Sequence, residues 1–86
     1  MNLKKMKWTK SSLHELDFSD TDLSLAIFEG CDLQRSIFAG TNLEKADLRT
    51  SYNYSIDPER NRLKKAKFSL AGVAGLLDKY DIQIDL

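Results

Sequence analysis

From residue 13 onward, every fifth position is leucine or phenylalanine: Leu13, Phe18, Leu23, Phe28, Leu33, Phe38, Leu43 and Leu48. These two types make up about a fifth of the chain, so eight consecutive matches arise by chance on the order of once in 10⁵. Two residues before each centre stand Ser11, Leu16, Thr21, Ala26, Cys31, Ser36, Thr41 and Ala46, all small except Leu16. Asp or Asn immediately precedes five of the eight centres, as in Asp17, Asp22, Asp32, Asn42 and Asp47. Trp8 extends the register towards the N-terminus. Leu63 and Phe68 resume it after an irregular bulge over 52–60, where Asn53 and Pro58 fall on centre positions.

A period of five fits neither simple element. On an α-helix, residues five apart differ by about 140°, so the large residues would wander around the surface. On a flat strand they would alternate between faces. A chain that turns a corner every five residues keeps all of them inward. Four such sides per coil predict an all-β solenoid, a quadrilateral parallel β-helix of about four coils over residues 6–75. Residues twenty apart then stack. Trp8, Phe28, Leu48 and Phe68 form one column, and Leu13 and Leu33 form another that continues to Val73. Cys31, Ser51 and Ala71 form a column of small residues. Leu16, Ser36 and Ile56 alternate large, small and large at one inward site. Ile56 supplies the apolar filling that Asn53 does not, and Tyr52 and Tyr54 are expected to point outward.

Read as consecutive units, SSLHE, LDFSD, TDLSL, AIFEG, CDLQR, SIFAG, TNLEK and ADLRT resemble the pentapeptide-repeat family. The tail, NYSIDPERNRLKKAKF followed by SLAGVAGLLDKYDIQID, is similar to the broken coil, last repeat, short helix and terminal strand of many members. The resemblance implies a right-handed winding and dimers formed through the C-terminus. It also implies a second function class, since some members are DNA-like rods that modulate DNA gyrase or another type II topoisomerase. Three readings of the chain's extent stay open: a short complete member, a fragment, or half of a split repeat protein.

After Phe68 the period changes. Leu70, Val73, Leu76, Leu77 and Tyr80 fall three or four apart, which predicts a short C-terminal α-helix. Ile82, Ile84 and Leu86 alternate with polar residues, which predicts a terminal strand. A solenoid needs a cap, and Leu76, Leu77, Tyr80, Ile82, Ile84 and Leu86 exceed what one small end requires. Residues 73–86 are therefore expected to serve as both cap and homodimer interface.

Composition narrows the function. The chain has 86 residues, one cysteine and one histidine, so an internal disulfide and an ordinary zinc site are both excluded. A core this small needs unusually regular packing or self-association. Thirteen bases balance thirteen acids, which argues against direct nucleic-acid binding by bulk attraction. The order along the chain is a basic N-terminal edge over 1–10, an acidic stretch over 11–50, a basic stretch and an acidic tail. No apolar run is long enough for a membrane span or a signal peptide, so a cytoplasmic protein is expected.

Candidate chemistry is sparse. His14 follows a centre and should face water without an acid–base partner. Cys31 sits at an inward small-residue position, where a thiol acts as filler. Trp8 and Met6 close the N-terminal end. Asp17, Asp22, Asp32 and Asp47 stand where a carboxylate can bond turn amides. Ile27, Ile37 and Leu25 are expected to be exposed. With no triad spacing, phosphate loop or nucleotide fingerprint, the expectation is a non-catalytic interaction module without catalytic, metal or cofactor residues.

Overall fold

The computed structural model describes residues 1–85. The chain folds as a repeat β-helix that returns over itself every twenty residues. Strand β1 (Lys7–Thr9) pairs in parallel with β2 (Ile27–Glu29), with Trp8 opposite Phe28. Further parallel bridges carry the same offset of twenty: Asn2 to Asp22, Asn42 and then Arg62; Ser12 to Asp32 and then Tyr52; Asp17 to Ile37; Ile27 to Asp47 and then Lys67. These ladders define four sides. The first holds residues 1–5, 21–25, 41–45 and 61–65. The second holds 6–10, 26–30, 46–50 and 66–68, the third 11–15, 31–35 and 51–55, and the fourth 16–20, 36–40 and 56–60. Backbone amides run the stack in both directions. Leu23 N–H donates to Asn42 O at 2.8 Å, and Asn42 N–H donates to Thr21 O at 3.0 Å.

The corners explain the period. From the first unit to the one that ends at Lys45, the last residue lies in the left-handed region: Lys5, Lys10, Glu15, Asp20, Leu25, Gly30, Arg35, Gly40 and Lys45, with φ between 49° and 66°; Lys65 does so again after the bulge. Before each corner, the Asp or Asn that precedes the centre accepts an amide two residues on. Asp17 Oδ1 takes Ser19 N–H at 2.8 Å, Asp22 takes Ser24 at 3.0 Å and Asp47 takes Arg49 at 3.1 Å. A left-handed conformation costs an L-residue about 1–2 kcal/mol, while glycine's extra freedom in the unfolded chain costs about 0.5–1 kcal/mol. Lys10→Gly is therefore expected to stabilise the fold by about 0.5–1 kcal/mol in urea titration. Gly40→Ala should destabilise it, because its Cβ would stand 2.5 Å from Asp20 Oδ1 at a φ of 66°. Destabilisation by Lys10→Gly, or stabilisation by Gly40→Ala, would refute this account of the turn.

The interior is filled by the repeat centres. Leu13, Phe18, Leu23, Phe28, Leu33, Phe38, Leu43 and Leu48 are buried, while Trp8, Leu63 and Phe68 are partly buried at the two ends. Trp8 stacks on Phe28 with ring centroids 4.8 Å apart, and Phe18 stacks on Phe38 at 5.3 Å. The small residues two positions before the centres also face the core, where their hydroxyls cap carbonyls. Thr41 Oγ1 donates to Phe18 O at 2.7 Å, and Ser51 Oγ donates to Leu48 O at 3.0 Å. Asn61 occupies the same register. It is buried, donates to Phe38 O and Asp57 O, and accepts the Thr41 amide.

Several expectations fail. No α-helix forms over 70–80; two 3-10 turns, Val73–Leu76 and Asp78–Tyr80, stand there instead. Two glycines (Gly72 and Gly75) weaken a helix, and the left-handed Asp81 ends the second turn. Residues 82–85 pair with nothing, so no terminal strand is formed, and Leu86 lies outside the described residues. Val73 and Ala71 are exposed rather than stacked in the core columns, because the winding ends at Phe68. Leu16 is 41% exposed instead of inward, since it lies in the first circuit, with another circuit on only one side.

Tyr54 is the largest surprise. It is 4% exposed rather than outward. Asn53 takes the left-handed corner two residues early, at a φ of 61°, and the next side chain turns in. Tyr54 packs on Phe68 with centroids 5.7 Å apart. Its hydroxyl is buried without a partner, and burial raises its pKa above the ordinary value.

Candidate interaction surfaces

Among the described residues, no group of three or more His, Cys, Asp or Glu side chains converges to hold a metal. Cys31 is buried, with its Sγ 3.5 Å from the Trp8 and Glu29 carbonyls. His14 is exposed, yet it does have a partner: its Nε2 lies 2.8 Å from Asp32 Oδ2. Asn53 Nδ2 donates to the other oxygen of Asp32 at 3.0 Å. The His14 contact is the main cause that lowers the Asp32 pKa. This cluster ties three successive circuits together. It holds no nucleophile and no oxyanion donor, so its geometry is that of a surface brace.

The surfaces are more informative than any cleft. Winding re-sorts the charge of the linear sequence. The first side carries Lys4, Lys5, Lys45, Arg62, Lys64 and Lys65 against Asp22 and Glu44. The second carries Lys7, Lys10, Arg49 and Lys67 against Glu29 and Asp47. The fourth carries Asp17, Asp20, Asp57 and Glu59 against Arg60 alone. Several bases have carboxylate partners, among them Arg62 with Glu44 at 3.2 Å and Arg49 with Asp47 at 2.9 Å. The acidic stretch read along the chain is thus spread over all four sides, and the acidic fourth side, built from Asp17, Asp20, Asp57 and Glu59, faces the basic second side across the rod and adjoins the basic first.

The C-terminal segment is held to the rod by one polar latch and one apolar clamp. Lys79 Nζ lies 3.1 Å from Asp57 Oδ1 and also bonds Glu59, while Tyr80 Oη donates to Glu59 Oε1 at 2.9 Å. The Glu59 amide holds the Asp57 carboxylate below its ordinary pKa, with Lys79 adding to the effect; the Lys79 ammonium does the same for Glu59. The two carboxylates in turn raise Lys79. In the clamp, the Ile56 amide donates to Gly75 O at 3.0 Å, and Leu76 packs against the core. Beyond these contacts Leu77 and Tyr80 are exposed, and Ile82 and Ile84 are 55% and 52% exposed.

The latch predicts a pH dependence. A carboxylate whose pKa falls on folding contributes stability above its unfolded value and loses it as the pH drops through the folded one. Asp17, Asp22, Asp32, Asp47, Asp57 and Glu59 are all lowered. The melting temperature should therefore fall as the pH drops from about 5 to about 3. Lys79→Gln should reduce that fall, because Asp57 and Glu59 lose the cation that favours their charged form. A fall of the same size in the variant would reject the latch.

No curated protein matches the chain. Two solved structures of trypsin-treated QnrB1, a plasmid-mediated fluoroquinolone resistance protein, are similar to it. The identities are 19% and 20%, the TM-scores 0.46 and 0.45, and each match covers 98% of this chain. The chain spans only 45% of the length of those proteins. The family model for pentapeptide repeats matches residues 11–50 in eight copies. Those residues form the regular centres, inward small side chains and left-handed corners described above, and over that stretch the chain carries pentapeptide repeats.

Proposed function

We propose that the chain is a non-catalytic protein-interaction module, wound right-handedly and working in the cytoplasm, that pairs with a second copy through residues 73–86. One observation carries this reading: Leu77, Tyr80, Ile82 and Ile84 are exposed together at the end of the winding. Apolar groups gathered at one end of a small domain favour burial against a partner. Leu76 belongs to the same segment and has its underside in the core; Leu86 continues the sequence pattern. Light scattering at high micromolar concentration is expected to give the mass of a dimer. Ile82→Lys combined with Ile84→Lys should give a folded monomer whose melting temperature no longer depends on protein concentration, since neither side chain contributes to the core. A native chain that is monomeric under these conditions would end the reading.

A second reading, modulation of DNA gyrase or a related topoisomerase by imitation of duplex DNA, draws on the acidic fourth side. Imitation of a duplex would want acid on more than one side, and the first two sides are basic. Inhibition or protection of gyrase supercoiling at micromolar protein would support it, and absence of any effect would remove it.

A further inference from the structure

Exposed apolar side chains lie on both the basic and the acidic surfaces of the rod. Leu25 and Ile27 flank the corner between the first and second sides. Leu25 shares its column with Lys5, Lys45 and Lys65, all at left-handed corners. Ile27 bridges Lys7 on one circuit and Asp47 on the next. On the fourth side Ile37, 52% exposed, bridges Asp17, and its amide bonds the carbonyl of the exposed Leu16. Asp20 stands at the adjoining corner, bonded through its amide to Ala39 O. Among the described residues, Lys5, Lys45, Lys65, Asp17 and Asp20 make no ion pair within the chain.

We infer that these two surfaces are complementary docking faces, and that the occupant of each is a second copy of this chain. The lysine-ringed Leu25 and Ile27 would meet the aspartate-flanked Ile37 and Leu16 of a neighbouring rod, side by side. The argument rests on charge. The unpaired charge is mostly basic on one face (Lys5, Lys45 and Lys65 against Asp22) and mostly acidic on the other (Asp17 and Asp20 against Arg60), each around a small apolar centre, and the same molecule displays both. A surface with free lysines alone would fit any polyanion. The apolar pair within it favours a protein partner, since phosphodiester backbones offer nothing to bury there. Because the two faces differ, the contact is heterologous and leaves an unused face at each end of the stack. The molecule measures 36 × 25 × 24 Å, so one side offers on the order of 500 Å², the weak end of the range for specific contacts. This association is separate from pairing through residues 73–86, which joins like ends and is apolar.

The test is sedimentation of the full chain at on the order of 1 mM, in salt raised from about 0.1 M to about 1 M, which shortens the screening length from about 10 Å to about 3 Å. Higher-order species should form at low salt and disappear at high salt, leaving whatever species the C-terminus dictates. Lys45→Glu with Lys65→Glu disables one face, and Ile37→Lys disables the other. Each variant alone should lose the salt-sensitive step, and an equimolar mixture should recover one contact between unlike variants and stop there. Circular dichroism checks that both fold. Absence of salt-sensitive association, or association unchanged in either variant, overturns the inference. So would heparin binding that disappears in the lysine variant while the native chain does not self-associate, which would assign the basic face to a polyanion.

Discussion

Phe28→Ala is expected to cost about 3–5 kcal/mol, against a total of about 4–13 kcal/mol for a chain of this length. Phe28 is fully buried. It stacks on Trp8, meets Phe18 edge-on at 6.4 Å and sits between circuits whose backbones it joins through Asp47 O. A rod cannot collapse around such a void, because the ladders hold neighbouring circuits near the fixed strand spacing of about 4.8 Å. Repeat arrays gain stability from nearest-neighbour contacts, so removing a central ring weakens the contacts on both of its sides. The same change at Phe68, where only the cap lies beyond, should cost less. Urea titration followed by circular dichroism measures both. Equal losses at Phe28 and Phe68 would contradict a nearest-neighbour stack.

Gly75→Ala is expected to release the C-terminal segment at a cost of about 1–3 kcal/mol. A Cβ built on Gly75 would lie 2.3 Å from the Tyr54 carbonyl oxygen and 3.0 Å from its ring. The obstacle is backbone, which cannot swing aside as a side chain can. Gly72 has a similar constraint, with a Cβ 2.3 Å from the Tyr54 hydroxyl. The signature should be local. The Ile56 amide, bonded to Gly75 O, should lose protection from hydrogen exchange, while the Leu23 and Leu43 amides keep theirs. Uniform loss of protection through the rod would show that cap and winding unfold as one unit.

The repeat was legible because a period of five has one physical meaning: a corner every five residues with one large side chain turned in. The Asx turns were legible for the same reason, since Asp and Asn recur immediately before the centres. Tyr54 was not. In the run Tyr52-Asn53-Tyr54, counting by fives puts Asn53 on the inward position, and nothing in the period says that the corner itself moves to residue 53. The available signal was Gly72 and Gly75, which are small enough to admit an aromatic ring and its backbone. Those glycines also explain the missing helix: the spacing of Leu70, Val73, Leu76, Leu77 and Tyr80 is helical, but close approach to Tyr54 won over helical pairing. Asn61 was legible in principle, since it stands twenty residues after Thr41 in the small-residue register. The charge surfaces were hidden by reading blocks along the chain, because each block contributes to more than one side. His14 found its carboxylate only after winding had brought residues 14 and 32 together.

The interior of this rod repeats every five residues, but its exterior repeats only every twenty. Adding or deleting a single unit would keep every later leucine and phenylalanine pointing inward, so the core would scarcely register the change. Everything beyond it would be turned by a quarter revolution, placing lysines where aspartates had been and swinging the C-terminal latch to another side. Four units added together would lengthen the molecule and leave every surface in line. Length and surface can therefore be edited separately: one unit acts as a dial, and four act as an extension.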